Sequence, residues 1–370
     1  MRLLFIRTTG GMSGVERYNV MLLNALQKQK DISVHLLTNF KPFLQRLKQK
    51  HIPSSLIYHP IPEAGTKKEL LLVILWFYPM LFVYLSKIKQ IEGKKRFDTI
   101  ILESMTEKLF LSPYLKLLGY HVIWIEHGPL FITDRSPLVK KLYVYKSTRP
   151  DAILAVSEDT KRDLIRGGVS ARKIRVVHIG IEKIASPAKR DRNDKKRWTI
   201  GFLGSVTEEK GIREFLNTAY AITQNHAYAS FCVIGGGPLL GWARHYAQKL
   251  KIQKNIVFTG YVEDVTKYLA KIDILYFPTH HHEGISLALL EALAQGKIVV
   301  ARDIGGNREL IIDKKTGYLF RTKEEGEKIL EKIIMGKLPV ENIRKSALKH
   351  IRKNFLLKTQ IPKFIDIFHD

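Results

Sequence analysis

The stretch Glu283-Gly284-Ile285-Ser286-Leu287-Ala288-Leu289-Leu290-Glu291 constrains this chain most, because it frames an apolar run with two carboxylates. Leu287 to Gln295 consists of strong helix formers, Ser286 suits the N-cap, and Gly296 suits the C′ stop. Apolar residues lie nearly all round that helix, so burial is expected. Glu291 is then costly unless something hydrogen-bonds to it. Glu283 precedes the cap, where free backbone N–H groups and the positive helix end receive polar or anionic ligands. Such a loop–helix unit suits a polyhydroxylated anion. A core helix with one partly solvated glutamate would carry the same letters, so the rest of the chain must decide.

With 370 residues, two domains of ordinary size are expected, each able to bury its own core. Cys232 is the only cysteine, which excludes an intrachain disulfide and fits a reducing compartment. Met1 to Ile6 is too short an apolar run for a signal peptide before Arg7, so a cytoplasmic chain is expected. The 61 basic against 35 acidic residues, a formal charge of +26, call for an anionic partner. No helix-turn-helix, zinc-finger or RNA-recognition pattern is present, which counts against nucleic acid.

In the first half, β-rich runs alternate with helix-compatible segments, the pattern of a parallel sheet covered on both faces. Expected strands are 3–8, 33–38, 55–59, 99–103, 122–126, 152–157 and 175–179. A glycine-rich turn, Thr8-Thr9-Gly10-Gly11-Met12-Ser13-Gly14, follows the first strand and can aim amides at an anion. It is not the G-x-G-x-x-G fingerprint, and a tight turn without a ligand would read alike. His127 lies at the carboxyl end of the strand 122–126, where open α/β sheets bind ligands. Leu70 to Ser86 is a run of seventeen uncharged residues between lysine pairs, with Pro79 expected to kink its middle. One crossing would separate strands that belong in one sheet. The run is therefore read as a surface-dipping or buried helix, and Trp76 with Lys67, Lys68, Lys87 and Lys89 suits an anionic membrane surface.

Lys183 to Arg197 reads as a solvated linker. Beyond it, strands are expected at 199–203, 230–234, 255–259, 274–277, 298–302 and 318–320. Four of them are followed by a glycine-containing turn: Gly204-Ser205-Val206-Thr207-Glu208-Glu209-Lys210-Gly211, Gly235-Gly236-Gly237-Pro238, Gly260-Tyr261-Val262 and Gly305-Gly306-Asn307-Arg308-Glu309. His280, His281 and His282 invite a metal, but three neighbours in sequence cannot all point at one ion.

Two glutamates eight apart, the turns just quoted, the Gly10-Gly11 loop and His127 resemble, in order and placement, the retaining glycosyltransferases of the GT4 family. The resemblance covers nearly the whole chain. It implies the GT-B fold: two Rossmann-like domains with parallel sheets facing across a cleft. Residues 1–182 would bind acceptor and 183–354 the nucleotide sugar, with 355–370 crossing back to the first domain. It further implies retaining transfer of a hexose from a nucleotide diphosphate sugar to a lipid-linked or polysaccharide acceptor, with no catalytic metal and no cofactor. The catalytic residues would be His127, facing the donor sugar, Glu283, orienting that sugar, and Lys210, which also binds the donor and neutralises its diphosphate. Gly10, Gly11, Ser205, Gly236, Val262, Gly284, Ile285, Ser286 and Leu287 would contact the donor, and Glu291 would take the ribose hydroxyls. The family pattern G-R-x-x-x-E-K-G has arginine where Ser205 stands, so one diphosphate cation is missing. Two other readings stay open: a GT-B nucleotide-sugar epimerase, which needs no acceptor, and an inactive protein that binds polyanions or membranes. A peripheral place on the inner face of the cytoplasmic membrane is expected.

Overall fold

The computed structural model describes residues 1–58, 66–133, 135–183 and 198–368. His59, the expected end of the third strand, and the linker beyond Lys183 lie outside the described residues. The chain forms two compact units, Met1–Gly180 with Leu357–Asp370, and Ile181–Leu356. The first boundary falls two residues before the expected one. Ile181 already pairs in the second unit, its N–H donating to Phe355 O at 2.9 Å beside an Ile181–Leu356 bridge.

The first unit holds seven parallel strands, β1 (Arg2–Arg7), β2 (Ser33–Thr38), β3 (Ser54–Leu56), β4 (Thr99–Leu102), β5 (His121–Glu126), β6 (Ala152–Ala155) and β7 (Ile174–Val176). Their order is β3-β2-β1-β4-β5-β6-β7. Leu3 to Ile6 is solvent-free throughout, as a strand covered on both faces requires. Several strands end earlier than their apolar letters suggest, because polar residues leave the ladder for other partners. Ser157, for example, caps the helix Glu158–Arg166 by accepting from the Thr160 N–H. The C-terminal helix Leu357–Asp366 packs on the helix Gly14–Gln27, and Phe364 stacks on Phe5 with ring centroids 6.2 Å apart.

Leu70–Ser86 does not kink at Pro79. It forms two helices, Lys67–Leu75 and Phe77–Glu92, bent by 68° with the break at Trp76. Proline lacks an N–H and clashes with the carbonyl four residues back. Breaking at Trp76 puts Pro79 in the first turn of the second helix, where that N–H has no intrahelical partner anyway. Leu70, Val73, Met80, Leu81, Tyr84 and Ile88 face the core, whereas Leu75, Trp76, Tyr78 and Phe82 are each more than half exposed. Among the described residues no single helix is long and apolar enough to cross a membrane, although the bent pair together reaches that length and composition. Since β3 and β4 flank the pair and share one sheet, a single crossing is incompatible with the topology.

The second unit holds β8 (Thr199–Leu203), β9 (Ser230–Ile234), β10 (Ile256–Gly260), β11 (Ile274–Phe277), β12 (Ile298–Arg302) and β13 (Tyr318–Phe320). They form a parallel sheet ordered β10-β9-β8-β11-β12-β13. In both sheets the strand order reverses direction beside the unit's first strand, between β1 and β4 and between β8 and β11. Open parallel sheets bind ligands outside the carboxyl ends of the strands at such switch points.

Candidate active site

At the switch point of the second unit, the turn after β8 and the loop after β11 are joined by an ion pair between Lys210 Nζ and Glu283 Oε1. Both side chains are about one-fifth exposed, so the pair is partly desolvated and still reachable. Backbone contacts fix the two segments together. His280 N–H and Thr279 Oγ1 donate to Glu209 O at 2.8 and 3.3 Å. Gly211, with φ +80°, lies so close to Pro278 that a Cβ there would sit 2.1 Å from its carbonyl oxygen. On the other side, Gly306 N–H donates to Glu283 O at 3.0 Å, and a Cβ on Gly306 would lie 1.3 Å from Gly284 O. The loop bearing Glu283 is therefore held from both neighbouring strand ends.

The helix Leu287–Ala294 starts from that loop. Ser286 occupies the N-cap position, but its side chain makes no capping hydrogen bond. The C-terminal end is a full Schellman motif: Gly296 at φ +67° donates to Leu293 O, and Lys297 N–H donates to Ala292 O, each at 3.0 Å. Burial all round the helix is corrected by the structure. Ala288, Glu291 and Gln295 form a half-buried stripe at helical spacing, and this stripe is what lets a carboxylate persist in an apolar helix. Gly284, Ile285, Ser286 and Leu287 are buried.

The remaining donor candidates of this unit lie at neighbouring strand ends. Ser205 is exposed, and Gly236 carries Val206 on its carbonyl at 2.9 Å. Val262 is half-buried after Gly260, whose φ of +71° turns the chain at the end of β10. The three histidines diverge. His280 Nε2 lies 3.3 Å from Glu214 and His281 Nδ1 3.8 Å from Glu209. Burial first, and the charge of Lys210 second, hold His281 below the ordinary imidazole range against the pull of Glu283 and Glu209. Among the described residues no group of three or more histidine, cysteine, aspartate or glutamate side chains is placed to hold a metal ion.

In the first unit, Gly10 and Gly11 follow β1 at its switch point, and a Cβ at either would meet nothing among the described residues within 4 Å. Neither has positive φ, so open space rather than backbone strain marks this loop. The loop ends in a capping box in which Glu16 accepts from Ser13 N–H at 2.8 Å and pairs with Arg7 at 2.9 Å. Burial pushes the Glu16 carboxyl up, but Arg7 and Ser13 outweigh it and hold it low. His127, after β5, bonds through Nε2 to Glu103 Oε2 at 2.9 Å. Glu103 follows β4 and is buried. It was legible only as the end of the apolar run 99–103, the same strand-end signal that singles out His127.

Two family models cover most of the chain: "Glycosyltransferase Family 4" over residues 12–183 and "Glycosyl transferases group 1" over residues 186–349. The chain belongs to the GT4-type, GT-B glycosyltransferases and is a transferase enzyme. It is 25% identical over 280 residues to the glycosyltransferase MJ1069 of Methanocaldococcus jannaschii, covering 70% of each chain. It is 21% identical over 323 residues to an Escherichia coli UDP-Gal:alpha-D-GlcNAc-diphosphoundecaprenol alpha-1,3-galactosyltransferase, covering 80% of this chain and 83% of that one. The fold matches the crystal structure of Anabaena Alr3699/HepE in complex with UDP and glucose, with a TM-score of 0.83 at 17% identity over all of both chains.

Proposed function

We propose that this glycosyltransferase moves a hexose, with retention of anomeric configuration, from a nucleotide diphosphate sugar to a membrane-associated acceptor, lipid-linked or polysaccharide. The Lys210–Glu283 pair at the switch point, beside the start of the helix bearing Glu291, carries this reading. Lys210 would neutralise charge growing on the leaving diphosphate, a preorganised electrostatic role. Glu283 and the amides after it would orient the sugar, and Glu291 would accept from the ribose hydroxyls. Gly10, Gly11 and His127 are assigned to substrate contact in the first unit, Gly10 and Gly11 through amides with open space before them. Neither a metal nor a cofactor is required in this scheme.

Two observations support a membrane-associated acceptor at the inner face of the cytoplasmic membrane. The helices Lys67–Leu75 and Phe77–Glu92 leave Leu75, Trp76, Tyr78 and Phe82 uncovered beside a lysine-rich flank. Aromatic residues beside lysines suit the headgroup level of an anionic leaflet. The E. coli relative is, by its name, a galactosyltransferase acting on a diphosphoundecaprenol-linked sugar. Titration calorimetry with a panel of nucleoside diphosphates tests the donor half: one diphosphate should bind and lose affinity in Lys210→Ala. Equal affinity in wild type and variant would overturn the assignment of Lys210.

A further inference from the structure

Glu103 is a fully buried carboxylate at the switch point of the first unit, with 4% of its surface accessible. It receives two hydrogen bonds on one oxygen: Asn19 Nδ2 donates to Oε2 at 2.7 Å, and His127 Nε2 lies 2.9 Å from the same atom. Burial pushes its carboxyl up. The hydrogen bond from His127, the charge of Arg7 and the bond from Asn19 outweigh that and keep it below the ordinary carboxylate range. An ionised carboxylate can only accept, so the hydrogen between Glu103 and His127 belongs to Nε2. In the neutral ring Nδ1 is then bare and can only accept. Nδ1 of His127 and Oε1 of Glu103 are both buried, and neither has a hydrogen-bond partner among the described residues.

A purely structural clamp between the ends of β4 and β5 would match its polar atoms, since buried polar groups are almost always paired. Here two acceptors stand unmatched beside the open Gly10–Gly11 loop, whose neighbour Thr8 donates its N–H to Ser104 Oγ at 3.0 Å. Hydroxyl groups are the donors that such acceptors lack, and sugars supply them in number. We propose that Glu103 is a positioning residue: it holds His127 in the Nε2-protonated tautomer, leaving Nδ1 to accept a hydrogen bond from a hydroxyl of the bound sugar substrate. The proposal rests on the transfer reading above for the identity of that hydroxyl, but not for the tautomer.

The tautomer is read first, by nitrogen NMR of histidine-labelled protein above pH 7.5, with the His127 signal identified by its loss in His127→Gln. Wild type should show a protonated Nε2 and a bare Nδ1, and Glu103→Leu should abolish that preference. A protonated Nδ1 in the wild type, or an unchanged tautomer in a folded Glu103→Leu, overturns the proposal. Kinetics follow. Glu103→Gln keeps an oxygen that can accept both bonds and should retain most activity, whereas Glu103→Leu should lose on the order of 10²-fold in kcat/KM, as a misoriented group does. In a His127→Gln background Glu103→Leu should cost nothing more, because a residue acting through His127 has nothing left to act on. Losses that multiply would mean a role independent of His127 and overturn the positioning claim. If the wild type transfers from no nucleotide sugar, the transfer reading fails and the hydroxyl assignment with it, while the tautomer result still decides what Glu103 does to His127.

Discussion

Gly306→Ala isolates the contact that holds the Glu283 loop in place. Gly306 has φ −69° and ψ −2°, a conformation that alanine adopts freely, so the backbone itself resists nothing. The obstacle is the 1.3 Å between the new Cβ and Gly284 O. Contacts to a Cβ essentially never fall below 3.0 Å, so that carbonyl must retreat by about 1.7 Å. Relieving such an overpacked contact typically costs about 1–3 kcal/mol of stability. The Gly306 N–H to Glu283 O bond is also at risk, a net contribution of about 0.5–1.5 kcal/mol. Glu283 moves with the carbonyl, and a misplacement of about 1 Å at a reacting centre can cost on the order of 10² in rate. The variant should therefore lose more in kcat/KM than in folding free energy, measured by steady-state transfer and by urea unfolding. Gly241→Ala is the control. Gly241 lies in the helix Leu240–Lys249, has nothing within 4 Å of an added Cβ, and should gain about 0.4–1 kcal/mol without changing transfer. Full activity in a folded Gly306→Ala protein would refute the claim that this contact places Glu283.

Glu291→Ala, which removes a half-buried carboxylate from the helix stripe, should weaken nucleoside diphosphate binding about tenfold or more, since a hydrogen bond to a charged group contributes about 1.5–3 kcal/mol. Calorimetry that returns the wild-type affinity removes Glu291 from the donor site. Lys108→Met should cost about 3–5 kcal/mol in chemical unfolding, because Lys108 pairs with buried Glu126 at 2.6 Å and its loss strands that charge. A change below about 1 kcal/mol, small beside that figure, would remove the Lys108–Glu126 pair from what holds the fold. His35 is held near 4, below its ordinary 6.5, by burial first and by the charges of Arg2 and Lys87 after it. The unfolded chain thus binds the extra proton first, so stability should fall as pH drops from 6.5 towards 4, and His35→Gln should flatten that slope. Replacing Trp76 and Phe82 with serine should weaken binding to anionic vesicles and leave diphosphate affinity unchanged. Wild-type protein that ignores such vesicles at low salt, where screening is weakest, would dismiss the membrane surface.

Much of the second unit was readable because its candidate site residues sit in one local motif. The spacing of Glu283 and Glu291, and a lysine before Gly211, are sequence facts. What the letters could not convey is that Lys210 and Glu283 face each other as a pair, since that contact joins turns that follow different strands. The half-buried stripe at Ala288, Glu291 and Gln295 was missed for a related reason, because alanine reads as apolar whichever way it faces. Trp76 rather than Pro79 marks the helix break because a proline acts on the turn before it. Glu103 was passed over because a carboxylate ending an apolar run looks like the edge of a strand. Its meaning came from His127 and Asn19, which lie 24 and 84 positions away in sequence.

The central claim is that a diphosphate sugar donor is held at Lys210 and Glu283 and passed on with its configuration kept. The most direct test incubates the protein with the nucleotide sugar that calorimetry selects and a lipid-linked acceptor fraction, and reads the product's anomeric configuration by proton NMR. The expected product is a transferred hexose with the donor's own anomeric configuration, absent in Glu283→Gln. An inverted product, or transfer undiminished in Glu283→Gln, would contradict it.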